Sequence, residues 1–335
     1  MRRSFIVFSS LLLVATVIFA LYLSRNWFVV TGVIFLLTLL GYYDMFQKKH
    51  SVMRIYPVFG RLRYLMEELR PKIYQYFIES DIDGRPINRI DRATIYQRSK
   101  QENDTMPFGT QLDVYADGYE WVCHSMAPKD FKKLDQDPRV LVGNSKCSQP
   151  YSCSIYNISA MSYGALSANA VEAMNAGAKI GGFAHNTGEG GLTPHHLKHG
   201  GDIIWQIGTG YFGCRTADGN FSPEAFRKKA ATPQVKMIEI KISQGAKPGH
   251  GGILPASKNT PEIAAIRGIE PHTLVASPPY HKAFDTPRGL VMFVKQLREL
   301  ADGKPIGFKL CIGHKSEFIG ICKAMMELNI FPDFI

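Results

Sequence analysis

The chain has 335 residues and a net charge of +10; 45% of its residues are hydrophobic and 20% are charged. These values exclude a collagen-like or wholly disordered chain, and no Lys/Arg run interleaved with aromatic residues indicates a nucleic-acid partner. The six cysteines include no C-x-x-C pair, which argues against a disulfide scaffold and a structural zinc site, so no metal site is predicted.

Two uncharged apolar runs open the chain, at residues 4–24 and 26–43. About 20 apolar residues span a bilayer core, so the runs predict a transmembrane hairpin within residues 1–50. A cleaved signal peptide and one long buried or kinked helix are the alternatives. Four basic residues flank the pair and one lies in the turn: Arg2, Arg3, Lys48, Lys49 and Arg25. This distribution predicts an inner (cytoplasmic) membrane protein whose two ends and soluble part face the cytoplasm.

Residues 51–150 are predicted to form a leading α+β region that covers one end of the domain at residues 151–335. Over residues 51–79, apolar and basic residues recur at roughly helical spacing. The basic face of such a helix either lies on anionic membrane lipid or is simply solvated. Residues 111–124 alternate around Asp117-Gly118, which predicts a β-hairpin.

From residue 151 onward, strands alternate with helices, a pattern typical of a parallel sheet in an α/β fold. The predicted strands are 155–160, 183–186, 235–242, 306–311 and 333–335, and the predicted helices are 168–179, 223–230, 287–300 and 315–328. In the third strand, Glu239 and Lys241 alternate with isoleucines. No G-x-G-x-x-G follows the first strand, so a (β/α)8 TIM-type barrel over residues 151–335 is favoured over a dinucleotide-binding fold.

In such a barrel, the active site forms where strands end and loops begin. Two glycine-rich segments, 186–191 and 241–252, occupy such places. Glycines allow positive φ and bring backbone N–H groups close to a flat or anionic ligand. The polar residues of these segments are Glu189, Lys241, Gln244 and Lys247. One carboxylate, one amide and two cations suit a dicarboxylate substrate and an electron-rich ring.

Several of these residues also have a purely structural interpretation. Glu189 and Lys241 could only pair with each other in a barrel core. His250 and His281 either face a substrate or hold their own loops.

The order of these motifs resembles the FMN-binding synthase domain of glutamate synthases, over roughly residues 150–335. The matching segments are 158–167, 186–191, 238–252, 277–279 and 308–310. The resemblance is closest to the bacterial membrane-anchored branch that lacks a glutaminase domain.

The resemblance implies an FMN-dependent oxidoreductase that converts 2-oxoglutarate and ammonia to L-glutamate through 2-iminoglutarate, using an unidentified electron donor. It implies FMN contacts for Ala160, Met161, Ser162, Asn186, Lys241 and Gln244. It implies that Glu189, Gln244, Lys247 and Arg267 hold the oxo-acid. Lys241 and Glu189 are the implied catalytic residues.

Three departures from the family pattern bear on the substrate. His250 stands where the long family members have Glu, Ile253 where they have a substrate-binding Gln, and Tyr211 where they have Arg. These changes leave open an FMN enzyme that acts on another oxo- or hydroxy-acid. Arg2 follows Met1 where the long enzymes begin with a nucleophilic Cys, so ammonia from glutamine is not expected.

The barrel is predicted to be incomplete. A complete barrel takes about 250 residues, more than lie between Ile155 and Ile335. The glycine-rich phosphate loop, the last strands and the iron–sulfur cysteines expected in the family are absent from this chain. Weak FMN binding is therefore expected, and an inactive membrane-tethered fragment is a further alternative.

Overall fold

The computed structural model describes residues 1–102, 109–143, 145–242 and 249–335. The chain forms two compact units, Met1–Met126 and Ala127–Ile335. The three-part division at residues 50 and 150 stays a prediction.

The first unit is helical in the part that the structure describes. Its helices are α1 (Arg2–Tyr22), α2 (Trp27–Phe46), α3 (Ser51–Ile55), α4 (Gly60–Ile73), which continues into a π-helical turn (Tyr74–Ile78), and α5 (Arg89–Ser99). By length and composition, α1 and α2 could each cross a membrane, a test that core helices and signal sequences also pass. The two helices pack against each other, and a Cβ at Gly41 of α2 would clash with the ring of Phe5. This close approach is typical of packed apolar helices.

The end of α2 is tied to α4 by a buried carboxylate. Asp44 is 0% exposed, and its Oδ1 lies 2.6 Å from Arg61 Nη2. The backbone N–H of Val58 donates to Asp44 Oδ2 at 3.1 Å. A buried carboxylate needs such partners because desolvation alone disfavours its charge.

The predicted hairpin at residues 111–124 is wrong. No strand forms there; the backbone makes turns, and Gly118 has a φ of +82°. Tyr115 and Val122 are 94% and 95% exposed. An isolated hairpin is marginal in water, and this one would have no apolar surface to cover.

The second unit combines strands and helices. In chain order it contains β1 (Arg139–Val142), β2 (Tyr151–Ser154), α6 (Ala168–Gly181), β3 (Ala184–Asn186), α7 (Pro194–Leu197), β4 (Asp202–Ile207), α8 (Pro223–Ala230), β5 (Val235–Lys241), β6 (Ile253–Leu254), α9 (Pro261–Arg267), β7 (Val275–Ala276), α10 (Pro287–Leu300), β8 (Ile306–Lys309) and α11 (Lys315–Leu328). The central sheet is parallel, in the order β3-β4-β5-β8, while β1 pairs with β2 and β6 with β7 in antiparallel fashion.

Single bridges extend the parallel sheet at both edges. Ile158 pairs with His185 of β3, and Phe334 pairs with Gly307 of β8. The predicted strands 155–160 and 333–335 are reduced to these bridges. In the first case, Asn157 Oδ1 accepts the backbone N–H of Ala184 at 3.0 Å, so a side chain takes the place of a ladder bond.

The sheet has two buried faces of different character. Ile238 and Ile240 of β5 pack with the helices, as their alternation predicts. The other face carries a smaller cluster of Cys153, Ala184, Ile204 and Met237, against which Val142, Tyr151 and Phe334 pack. Ala184 of the edge strand β3 belongs to this cluster, and Phe334, which pairs with the other edge strand β8, packs against it. The sheet is therefore curved, and this face is its concave, inner face. The architecture is therefore mixed α/β with a parallel sheet, consistent with a partial (β/α) barrel.

The predicted bounds of several helices are confirmed, and capping residues mark the starts of α6, α8 and α10. Ser167 Oγ and Ser222 Oγ accept the backbone N–H groups of Ala170 and Ala225, at the starts of α6 and α8. α8, α10 and α11 have the predicted bounds, and α6 continues to Gly181. β4 and α9 lie outside the predicted elements.

Candidate functional site

The candidate site lies at the carboxyl edge of the parallel sheet. The strands run in one direction, so the residues that end β3 and β5 meet at the same edge. Asn186 ends β3, and Lys241 ends β5.

A polar layer covers the inner face at this edge. Glu239 Oε1 accepts a hydrogen bond from Asn186 Nδ2 at 3.0 Å and another from Gln206 Nε2 at 2.5 Å. Gln206 is 1% exposed, and its Oε1 has no hydrogen-bond partner among the residues that the structure describes. A buried acceptor without a donor is rare in folded proteins, so this oxygen marks a place in the layer where a donor is missing.

Sequence reasoning missed Gln206 and Glu239 as parts of this layer. Glu239 precedes Lys241 by two positions in β5, so strand alternation, which places both on one face, could have found it. Gln206 carried no such signal because β4 was not predicted.

Lys241 and Glu189 form an ion pair beside this layer. Lys241 Nζ lies 3.3 Å from Glu189 Oε2, and the two side chains are 17% and 21% exposed. Two glycines leave room for the carboxylate. A Cβ at Gly208 would lie 2.7 Å from Glu189 Cβ, and one at Gly252 would lie 2.6 Å from Glu189 Oε1. Glu189 and Lys241 therefore do pair with each other, and their pair lies at the carboxyl edge of the sheet.

Glu189 also lines a cavity of ≈ 250 Å³ together with Ser162 and Arg267. The other lining residues are Gly164, Ala165, Phe212, Gly252, Ile253, Leu254, Pro255, Lys258 and Ser277. Three residues that the sequence analysis assigned to the site, Ser162, Glu189 and Arg267, therefore line the same cavity.

Arg267, the last residue of α9, is held rigidly beside this cavity. Its Nη2 donates to Tyr163 O at 3.1 Å, and its Cζ lies 5.0 Å from the centre of the Phe212 ring. The side chain is 7% exposed, and its Nε has no hydrogen-bond partner in the described part of the chain. Burial lowers the pKa of the guanidinium, an effect that the charge of Glu189 opposes. An anionic ligand would satisfy both the charge and the unused donor.

The segment before α6 is joined to the end of β3. The Met161 N–H donates to Asn186 O at 3.2 Å, and a Cβ at Gly188 would lie 2.8 Å from Ser162 N. Ala160, which is half-buried, precedes Met161 directly. The predicted contacts of residues 160–162 with a cofactor stay a prediction.

The other residues that the sequence singled out differ in what the structure describes of them. Gln244 and Lys247 lie outside the described residues. His250 Nδ1 lies 3.0 Å from the carbonyl oxygen of its neighbour Gly251, as a loop residue would. His281 is 3% exposed and contacts the backbone of Lys241.

The arrangement combines fixed positive charge with a polar floor. Arg267 and Lys241 place two cations near one carboxylate, and Asn186, Gln206 and Glu239 offer amide and carboxylate groups on the inner face. Cations held in such preorganised positions bind carboxylates and stabilise developing negative charge.

Comparison with known proteins shows the family of the chain. Residues 92–331 match the family described as "Conserved region in glutamate synthase". The glutamate synthase large subunit-like protein YerD of Bacillus subtilis is 34% identical over 331 residues, which cover 87% of this chain and 62% of that protein. The archaeal glutamate synthase (NADPH) of Methanocaldococcus jannaschii is 33% identical over 204 residues, covering 61% of this chain and 36% of that protein. The chain thus spans less than two thirds of the length of either relative.

Proposed function

The chain belongs to the glutamate synthase family, and on that premise we propose that it is an FMN-dependent oxidoreductase that converts 2-oxoglutarate and ammonia to L-glutamate. The observation that carries the proposal is the grouping of Lys241, Glu189 and Arg267 at the carboxyl edge of the sheet. In α/β barrels, this edge is where catalytic residues gather.

The residues at this edge fit FMN. The unpartnered Oε1 of Gln206 offers an acceptor to the N–H of a flavin ring, and Lys241 offers a cation to its electron-rich edge. Asn186 and residues 160–162 complete the proposed binding residues. When bound, FMN would supply the hydride for reduction of 2-iminoglutarate.

The protein's own residues have separable roles in this proposal. Arg267 binds a carboxylate of the oxo-acid, since its planar guanidinium suits that geometry. Lys241 Nζ holds its proton beside the flavin site and stabilises negative charge there. Glu189 keeps the ammonium of Lys241 in place through the 3.3 Å contact. Gln244 and Lys247 would add further contacts to the oxo-acid and, for Gln244, to FMN.

A second candidate is an FMN enzyme that acts on a less polar oxo-acid. The cavity wall includes Ile253, Leu254 and Pro255 in a row, and an apolar wall favours an alkyl chain over a second carboxylate.

Anaerobic turnover separates the two candidates. The detergent-purified full chain is loaded with FMN and reduced, and each oxo-acid is added with ammonium while flavin absorbance and amino-acid formation are followed. The first proposal predicts fastest reoxidation with 2-oxoglutarate and formation of glutamate. Faster reoxidation with a branched alkyl oxo-acid supports the second, and no reoxidation with any oxo-acid contradicts both.

We further propose that α1 and α2 anchor the protein in the cytoplasmic membrane, with the second unit on the cytoplasmic side. The basic residues that flank the two helices support this orientation.

A further inference from the structure

A buried histidine contacts the backbone of the proposed catalytic lysine. His281 lies in the segment after β7, and its side chain is enclosed, with 3% exposed. Its Nε2 lies 2.8 Å from the carbonyl oxygen of Lys241, and its Nδ1 lies 3.1 Å from the hydroxyl of Tyr211. The ring of Phe284 stacks on the imidazole, with centroids 4.9 Å apart.

The chemistry of these groups fixes the direction of each hydrogen bond. A carbonyl oxygen can only accept, so Nε2 of His281 carries the proton. Burial lowers the pKa of His281, which favours the neutral ring, and Nδ1 therefore accepts from the Tyr211 hydroxyl. Burial raises the pKa of Tyr211 to about 12, so this hydroxyl keeps its proton. The Ala283 N–H donates to the same hydroxyl oxygen at 3.0 Å.

The result is one directed chain of hydrogen bonds from Ala283 through Tyr211 and His281 to Lys241. Tyr211 is completely buried and has a φ of +49°, in a region that few non-glycine residues adopt. Its backbone conformation is therefore one that the packing around it must maintain.

Lys241 occupies the last position of β5, where the regular ladder stops. On one side, the Ile242 N–H donates to Lys309 O of β8 at 2.8 Å. On the other side, the carbonyl of Lys241 accepts a hydrogen bond from Nε2 of His281. These two bonds hold the two sides of the same peptide group, and the Lys241 side chain then reaches Glu189 at 3.3 Å.

We propose that Tyr211 and His281 are positioning residues for Lys241. They fix the peptide that ends β5 and thereby set the direction in which the lysine leaves the strand. The effect on Lys241 itself is independent of the proposed function, whereas the effect on turnover rests on it.

The test measures the reactivity of the Lys241 amine in the full chain, without flavin. A trace of acylating reagent labels lysines in proportion to their free-amine fraction and access, and mass spectrometry quantifies each site. His281→Leu removes the donor, His281→Gln keeps an N–H donor at a similar reach, and Tyr211→Phe removes only the hydroxyl. Lys304, whose Nζ donates to the carbonyls of Ala230 and Thr232, is the internal reference.

We expect His281→Leu to raise Lys241 labelling severalfold, because the amine loses its paired position beside Glu189. His281→Gln should restore labelling close to the unmodified chain, and Tyr211→Phe should give an intermediate value. Lys304 should not change in any variant. Equal Lys241 labelling in all chains would overturn the proposal, as would a parallel rise at Lys241 and Lys304, which would indicate general loosening.

A second readout uses turnover. His281→Leu should lower kcat by up to about 100-fold, as for a small misplacement of a catalytic group, while KM for the oxo-acid changes little. His281→Gln should recover most of the loss. If the unmodified chain shows no turnover, the proposed function fails, and the labelling result still decides the role of His281.

Discussion

Lys241 at the end of β5 reaches Glu189 in the loop that follows β3, with β4 between the two strands. This contact decides which charges a ligand meets at the sheet edge. Both side chains remain partly exposed, at 17% and 21%. At these exposures the pair is mostly enclosed, and loss of Lys241 would leave the Glu189 carboxylate without this partner in a largely dehydrated place. We therefore expect the loss to lower stability as well as turnover.

Replacement of Lys241 by alanine should lower turnover by about 10²–10³, the usual effect of removing one preorganised electrostatic contact. The apparent Tm should also fall, because Glu189 loses this partner. Lys236→Ala is the matched control, since Lys236 lies in the same strand but pairs with Asp202, which begins β4, at 3.9 Å. Turnover of Lys241→Ala equal to that of the control would show that Lys241 is only a structural cation.

Sequence reasoning could predict residues that follow a strand in a glycine-rich loop, because that position is visible in the sequence. Glu189, Lys241 and Arg267 lie together in the structure, although their roles stay predictions. Glu239 could have been found from the strand alternation that places it on the face of Lys241. Gln206 could not, because its place in the layer depends on β4 and on the neighbours of that strand.

Among the elements, α6, α7 and α9 are joined by one imidazole. His195 of α7 lies with Nδ1 2.8 Å from Glu172 Oε1 of α6 and with Nε2 2.8 Å from Glu262 Oε1 of α9. Hydrogen bonds to Glu172 and then Glu262 raise the pKa of His195. Lys198 also donates to Glu172, and Tyr163 also donates to Glu262. Since α9 carries Arg267, this junction supports one wall of the cavity.

The junction should weaken as pH rises. Because the pKa of His195 is raised in the folded chain, the stabilisation that its charged ring gives to the junction is fully present below the ordinary histidine pKa of about 6.5. That stabilisation is lost as pH rises through the raised pKa. Hydrogen exchange of α9, corrected for intrinsic rates, should therefore accelerate over that interval in the unmodified chain. His195→Asn should abolish the step, while α10 serves as an internal control.

The two carboxylates act with the opposite sign. Hydrogen bonds from Lys198 and His195 lower the pKa of Glu172, and those from Tyr163 and His195 lower that of Glu262. Their contributions are present above the ordinary carboxylate pKa and are lost as pH falls through the lowered pKa values. If the exchange of α9 depends on pH in the same way in His195→Asn and in the unmodified chain, His195 does not hold the junction together.

A buried ion pair holds the segment after α11 against the sheet. Arg298 Nη2 of α10 lies 2.9 Å from Asp333 Oδ2, with side chains 7% and 0% exposed. The Ile306 N–H of β8 donates to the same oxygen at 2.9 Å. The pair thus ties a helix, a strand and the Phe334 bridge together.

Asp333→Ala should reduce the free energy of unfolding by about 3–5 kcal/mol, because it leaves a buried guanidinium without its partner. Glu327→Gln is the matched control, since its pair with Arg288 is 52% and 70% exposed and should contribute no more than about 1 kcal/mol. Pulse proteolysis of the full chain in urea measures both. Equal losses would mean that the buried pair is not a structural tie.

Local sequence signals predicted the bounds of helices well, but they did not predict which strands pair with each other. Helices α8 and α10 have the predicted bounds because Ser222 and Thr286 cap them and a proline follows each cap. Helix α11 also has the predicted bounds, although it begins after His314 without a side-chain cap. The strand predicted at 155–160 is reduced to the Ile158 bridge, and Asn157 bonds the neighbouring segment through its side chain. The pairing of β1 with β2 and the role of β4 depend on partners that no local pattern identifies.

At the scale of the whole molecule, the chain combines two candidate membrane helices with an α/β unit that carries the proposed site. The alternation of strands and helices was sufficient to predict a parallel sheet and to favour a barrel. The bridges at Ile158 and Phe334 support that interpretation at the two sheet edges. The proposed cytoplasmic position of the site rests only on the distribution of basic residues around α1 and α2.

A topology reporter tests that position. Alkaline phosphatase fused after Ile335 should be inactive in the bacterial cell, and a fluorescent protein at the same place should be bright, because both report a cytoplasmic end. As a control, the same fusions after Ser24, in the turn between α1 and α2, should give the opposite pattern. Phosphatase activity after Ile335 would refute the proposed orientation.

The proposed function requires the carboxyl edge of the β3-β4-β5-β8 sheet to bind FMN. Titration of FMN into the detergent-purified full chain, followed by its visible spectrum, tests this most directly. We predict a saturable spectral change that ends at one FMN per chain, is weakened in Lys241→Ala and is unchanged in Lys236→Ala. A spectrum that stays that of free FMN throughout the titration, or identical binding by both variants, would contradict the account.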